Sequence, residues 1–258
     1  MASPANGSTR PWPAPGGPWI MRQTWSSLLF AHWRVPGDFM RDLVPEQLEI
    51  DTSDGSAWIA VVPFLMSGIR LRFLPPVPPT HETLELNVRT YVRYGGRPGV
   101  YFFSLDAEKR LIVEMARRWF HLPYHHAAMQ MKKATYVRYE SLRTQPGSPA
   151  AELHSVYRPI GDPAQSMPGS IEYFLTERYC LYALDPYGRV LVGEIDHQPW
   201  RLQRAEGEFE RNTMTEDLGV ELRGAPLLHY ADSIDVRIWP PVVAESYSEA
   251  FPDLEPNP

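Results

Sequence analysis

The most regular pattern in the chain is an alternation. Leu84, Leu86, Val88, Thr90 and Val92 interleave with Glu85, Asn87, Arg89, Tyr91 and Arg93 in "LELNVRTYVRY". Successive side chains of a strand point to opposite faces, so this segment predicts a strand with one apolar and one polar face. "GGRPG" supplies a turn, and "VYFFSLDA" returns with apolar residues on both faces, the mark of a strand covered on both sides. An antiparallel hairpin over 84–94 and 99–106 follows. With the return strand covered, the polar face of the first strand either meets water or lines a closed interior, and alternation alone leaves both readings open.

Helical spacing takes over in "AEKRLIVEMARRWF", where Leu111, Met115 and Trp119 form one stripe, and Pro123 ends it; a helix near 107–119 is expected. "PGDFMRDLVP" fits one or two helical turns. "SIEYFLTERY" fits a short helix with Ser170 as its N-cap. "TWSSLLFAHWRV", "LEIDTSDGSAWIAVVPF", "AMQMKKATYVRYE", "ELHSVYRPI", the hairpin "CLYALDPYGRVLVGEID" and "ADSIDVRIWPP" read as strands and turns. About nine short strands and two or three helices result. The 27 prolines fall between the apolar runs, which argues against a helical bundle. The expected fold is α+β and mostly antiparallel β, a closed or curled sheet in one domain.

Composition narrows the setting. The chain has 258 residues, 43% hydrophobic, with a net charge of −6. No basic stripe interleaves with aromatics, so nucleic acid is not an expected partner. No window reaches membrane-span length. The single cysteine, Cys180, forms no internal disulfide and reads as a small buried hydrophobe, so a reducing cytoplasm is the expected setting. Residues 1–18 read as a disordered Pro/Gly-rich arm, 19–242 as the folded domain and 243–258 as a disordered acidic tail.

Among chemical candidates, His121, His125 and His126 crowd together in "FHLPYHHAAMQMKK". Pro123 breaks the helical face that a zinc site would use, and no nearby carboxylate completes a set, so no metal is assigned. Lys132 and Lys133 are adjacent, the arrangement that lets one ammonium depress the other. In a strand such neighbours point to opposite faces and do not share a pocket.

"LLFAHWRVP", "GSAWIAVVPF", "ELNVRTYV", "PGVYFFSLDA", "LPYHHA", "FLTERY" and "HQPW" together resemble the YqjF-like family of unknown function (domain of unknown function 2071), over about residues 20–240. That family is placed in the acetoacetate decarboxylase-like superfamily. The resemblance implies a cone-shaped β-barrel with a few helices around an internal pocket; activity does not follow from fold. The decarboxylase works through a lysine activated by a neighbouring lysine in a Gly-x-Pro-Lys-Lys signature. Here Met115-Ala116-Arg117 resembles the preceding Gly-Arg-Glu region and Pro123 matches the proline, but Tyr124 and His125 stand where the lysine pair would be. Glu85 or Asn87 occupies the place of a pocket glutamate, with Arg89 two residues on from Asn87.

The resulting expectation is an internal pocket for a small anionic or carbonyl-containing molecule. Tyr124, His125 and Glu85 are the acid–base candidates, and Asn87, Arg89 and Arg117 the binding candidates. Glu85 and Arg89 are expected to pair if buried. No cofactor is implied, and a homo-oligomer is allowed. The same residues would serve an enzyme or a binding protein without chemistry, and a structural protein of the same fold is the remaining alternative. The enzyme reading expects Tyr124 and His125 to converge on one bound molecule.

Overall fold

The computed structural model of the 258-residue chain describes residues 10–75 and 81–244. It is a mostly antiparallel thirteen-stranded sheet with three short helices. The strands are β1 Met21–Val35, β2 Glu49–Ile50, β3 Ala57–Leu71, β4 Glu82–Tyr94, β5 Arg97–Ala107, β6 Tyr124–Lys133, β7 Val137–Arg143, β8 Glu152–Gln165, β9 Cys180–Leu184, β10 Val190–His197, β11 Arg201–Asn212, β12 Leu227–Ile238 and β13 Val242–Val243. The helices are α1 Gly37–Leu43, α2 Arg110–Phe120 and α3 Ile171–Thr176.

The sheet curls until its strands form a ring. Neighbours run β5-β6-β7-β8-β11-β12-β1-β3-β4, and β4 pairs again with β5. Strands β9, β10 and β13 branch from β5, and β10 reaches back to β12. Among the described residues, the pairings are parallel only at β5–β6 and β5–β9. The expected β4–β5 hairpin forms, and its turn is tighter than "GGRPG" suggests. Tyr94 pairs with Arg97 across Gly95 and Gly96, which have φ of 54° and 74°. Two consecutive left-handed residues make the hairpin turn that matches strand twist, and glycine adopts it without strain.

Both faces of β4 are buried, which decides between the two readings of its polar face. Leu84, Leu86, Val88 and Val92 join the larger core with Trp33, Tyr139 and Tyr157. Glu85, Asn87 and Arg89 face a cavity on the other side.

Two bulges shape that cavity. Between β4 and β5 the register jumps at Val88/Arg89, where Phe103 is the extra residue. Phe102 and Leu105 are three apart and would point to opposite faces of a regular strand; with the bulge both line the cavity. In β1 the register against β3 slips between Ser26 and Ala31, and Ser27 has a φ of 53°. Trp25, Leu28 and Phe30 thereby share the cavity side despite their odd spacing.

Helix α3 starts as expected, with the Ser170 hydroxyl accepting from the Tyr173 amide at 3.2 Å. Helix α2 begins three residues later than expected, because β5 continues to Ala107. It packs by Val113, Ala116 and Phe120 against Leu105, Leu122 and Tyr124. The Leu111–Met115–Trp119 stripe lies on another face and borders the cavity. The expected arm of residues 1–18 also needs correction. Trp12 is buried, its Nε1 donates to Glu194 Oε2 at 3.2 Å, and Arg10 pairs with the same carboxylate. A buried aromatic and a charge-assisted contact anchor the chain from residue 10. Likewise Val243, expected in the tail, pairs with Leu191. Residues 1–9 and 245–258 lie outside the described residues. No helix among the described residues is long and apolar enough to cross a membrane.

Candidate functional site

The cavity measures about 380 Å³, within the usual range for small-molecule sites. Its walls are apolar: Phe30, Val62, Phe64, Met66 and Trp200 belong to one buried cluster and face it. Into these walls β4 projects Glu85, Asn87 and Arg89, each at most 9% exposed.

β6 adds Tyr124. Its parallel register sets Leu105 opposite Tyr124 and Asp106 opposite His125. Leu105 and Tyr124 therefore face the cavity, while Asp106 and His125 face away from it. The Tyr124 hydroxyl donates to Glu85 Oε2 at 2.7 Å. Burial pushes the Glu85 carboxyl up to about 7; the Tyr124 hydroxyl and the Asn87 amide pull it back, and the Asp106 carboxylate adds to the rise. Burial and the Glu85 carboxylate hold the Tyr124 phenol well above its ordinary range. This is a buried carboxyl poised near neutrality beside a phenol that stays protonated.

Arg89 lies deeper. Its guanidinium sits 5.4 Å from the Phe30 ring centroid and 5.8 Å from that of Tyr91. One Nη donates weakly to the Leu175 carbonyl at 3.5 Å, and Nε has no partner. Among the described residues Arg89 makes no ion pair. The expected pairing with Glu85 does not occur: no ion pair joins them, their Cα atoms are four positions apart on one strand, about 13 Å at strand rise, and Glu85 is engaged by Tyr124. A buried guanidinium without a carboxylate is costly unless something else compensates it.

Three other polar atoms on cavity-lining residues lack partners: Asn87 Oδ1, His197 Nε2 and Trp200 Nε1. His197 Nδ1 contacts the Gln198 carbonyl at 2.7 Å. A carbonyl only accepts, so Nδ1 carries the proton and Nε2 is an acceptor. Burial lowers the His197 pKa, which keeps the ring neutral. The cavity thus offers unmatched donors on Arg89 and Trp200 and unmatched acceptors on Asn87 and His197.

The remaining expected site residues are elsewhere. His125 shares a 2.8 Å hydrogen bond with Ser148 Oγ on the opposite face of β6, and burial together with Arg143 and Arg117 lowers its pKa to about 4. Arg117 reaches only the backbone carbonyl of Tyr124, at 3.4 Å, and does not line the cavity. Tyr124 and His125 do not converge, for the reason that separates Lys132 from Lys133: adjacent strand residues face opposite ways. Beneath His125 lies a separate buried pair, Arg143 Nε donating to Asp106 Oδ1 at 2.9 Å. Burial still raises Asp106 to about 6 against the pull of Arg143.

The clustered histidines diverge: His121 caps α2 in the left-handed region and His126 bonds Thr144 Oγ1 at 2.8 Å. The chain's three lysines stay away from the cavity. Lys109 pairs with Glu108, Lys132 is exposed, and Lys133 reaches Asp232 and Tyr230 at 3.0 and 3.1 Å. Lining residues not anticipated are Thr176, Arg178 and His197. They lie in or beside "FLTERY" and "HQPW", two of the motifs behind the family resemblance. Arg178 is already paired, donating to Asp51 Oδ2 at 2.6 Å.

The family model for DUF2071, described as an uncharacterized conserved protein, matches residues 22–235. This chain belongs to the DUF2071 family. It is 47% identical over 228 residues to the uncharacterized protein YqjF of Bacillus subtilis (strain 168), covering 88% of this chain and 93% of that protein. Among solved structures, the enduracididine biosynthesis enzyme MppR complexed with pyruvate aligns with a TM-score of 0.61 at 12% identity, over 90% of this chain and 93% of that one. An acetoacetate decarboxylase-like enzyme from Sphingomonas wittichii RW1 aligns with a TM-score of 0.60 at 14% identity, over 92% and 97%. At such identities the DUF2071 chain shares their fold, the acetoacetate decarboxylase-like fold.

Proposed function

We propose that this DUF2071 protein binds a small carboxylate that also carries a carbonyl or hydroxyl, and exchanges a proton with it at Glu85. The observation that carries the reading is Arg89: a buried, unpaired guanidinium facing an apolar cavity. A planar carboxylate matches its fork of donors and supplies the missing charge. Glu85, with its carboxyl near 7, takes a proton from a carbon beside the carbonyl. Protonated Glu85 returns it, and charge developing on the ligand oxygen faces the donors of Arg89 and Trp200. Tyr124 holds the Glu85 carboxylate in position. None of the chain's lysines lines the cavity, so this chemistry proceeds without an imine. That MppR, of the same fold, was solved with pyruvate supports a 2-oxo acid as the first probe.

A second reading is binding without chemistry, and it is favoured by the placement of His125 outside the cavity. Pyruvate in D2O separates the two. The acid–base reading expects loss of the methyl signal in proton NMR faster than in buffer, abolished by Glu85→Gln. Saturable binding with no exchange above buffer would leave only the binding reading.

A further inference from the structure

The cavity is longer than a small 2-oxo acid needs, and its polarity is graded along that length. Strands β1 and β3 run beside it from end to end. Their register sets Ala60, the partner of Arg89, near the inner end, and pairs Met21 with Leu71 at the other. From Phe30, against Arg89, to Met21 is nine residues, roughly 30 Å at strand rise before the bulge shortens it. Proceeding outward, Arg89 comes first, then Asn87, then Glu85 with Tyr124. Beyond them the lining is mostly apolar, Met66, Ile69, Leu71 and Met21, with His197 as a neutral polar residue level with Gln23 across Val236. Gln23, the uncharged polar residue on this stretch of β1, spends its carbonyl on Trp25 Nε1 at 2.7 Å. Arg70 sits near the rim.

Helix α2 forms part of the mouth. Leu111 and Trp119 border the cavity and yet are 56% and 53% exposed. Large apolar side chains held half in water at the rim of an apolar channel cost free energy unless something apolar passes between them. The helix packs on the sheet by Val113, Ala116 and Phe120, and Ala116 and Phe120 also line the cavity beside the stripe.

We infer that the physiological ligand is an amphiphile of the medium-chain carboxylic acid class, with its carboxylate at Arg89 and an extended apolar chain leaving past Leu111, Met115 and Trp119. This rests on the proposed role of Arg89 as carboxylate anchor and adds the chain. The gradient selects for it: a short acid leaves the outer half of the channel without a partner, whereas a uniformly apolar molecule leaves the guanidinium uncompensated.

The test is a calorimetric series with butanoate, hexanoate, octanoate and decanoate on the full chain. Burying each added methylene is expected to raise affinity about fourfold until the chain passes the mouth. The double variant Leu111→Ser/Trp119→Ser, at exposed positions, is expected to lower the decanoate-to-butanoate affinity ratio at least tenfold, with thermal melts confirming the fold. A ratio near one across the series, with butanoate binding still dependent on Arg89, overturns the chain inference and leaves the anchor intact. A normal chain-length rise that is unchanged in Arg89→Gln overturns the anchor instead. No binding of any acid to the folded protein overturns both.

Discussion

The Tyr124 hydroxyl donates to Glu85 Oε2 at 2.7 Å inside a cavity that excludes both residues from water. The bond favours the ionised carboxyl and opposes the burial that disfavours it. Tyr124→Phe removes the donor and little volume. The Glu85 carboxyl is then expected to titrate above its present value of about 7. Carbon-13 NMR of labelled glutamate carboxyls reads this directly; an unchanged or lower midpoint contradicts the assignment.

Glu85 also couples the fold to pH. Its folded pKa of about 7 exceeds the ordinary value of 4.5, so between these values the folded chain holds a proton that the unfolded chain has lost. Stability contributed by this group is present at low pH and falls as pH rises through 4.5 to 7, by up to about 3 kcal/mol. Asp106, raised from 3.8 to about 6, acts in the same direction. Half-buried His125, lowered to about 4, acts oppositely, stability rising as pH climbs from there to 6.5. Glu85→Gln isolates the first contribution. Urea melts of the variant and the parent are expected to differ progressively more between pH 5 and 8, the variant becoming relatively more stable. Parallel curves would show that Glu85 titrates normally.

Arg89 is expected to trade stability for binding. Removing one member of a buried ion pair costs about 3–5 kcal/mol. Arg89 has no such partner among the described residues, so Arg89→Met is expected to leave the ligand-free protein at least as stable as the parent. Denaturant melts check this, and a loss above about 3 kcal/mol would reveal a pair that the geometry does not contain.

His125 separates the two faces of β6. It points to Ser148 and the Asp106–Arg143 pair, so His125→Ala is expected to change the affinity for pyruvate less than twofold while altering stability. A tenfold loss of affinity would place the ring in the cavity after all.

Much of this site was legible in the sequence, residue by residue. Alternation in "LELNVRTYVRY" separated Glu85, Asn87 and Arg89 from the core-facing residues, and the covered return strand raised the option of an interior for them. Tyr124 followed from the family resemblance. Motif correspondence alone puts His125 in the same pocket, but the strand rule that parts Lys132 from Lys133 also parts it from Tyr124. The extra residues Ser27 and Phe103 were not legible, because a bulge leaves no trace in apolar periodicity. Nor was the parallel β5–β6 register, a non-local pairing across α2. Thr176, Arg178 and His197 reach the cavity from the end of α3, the α3–β9 connection and the end of β10, through chain tracing that no local pattern encodes. The α2 stripe reads as helical from its spacing, and spacing alone does not distinguish an apolar face that meets a core from one at a cavity mouth.

The central claim is that Arg89 anchors a carboxylate in this cavity. Isothermal titration of pyruvate into the parent protein and into Arg89→Gln tests it most directly. The expected result is saturable one-to-one binding to the parent and at least a tenfold weaker affinity for the variant, with both proteins folded. Equal affinities, or no binding to the parent, would contradict it.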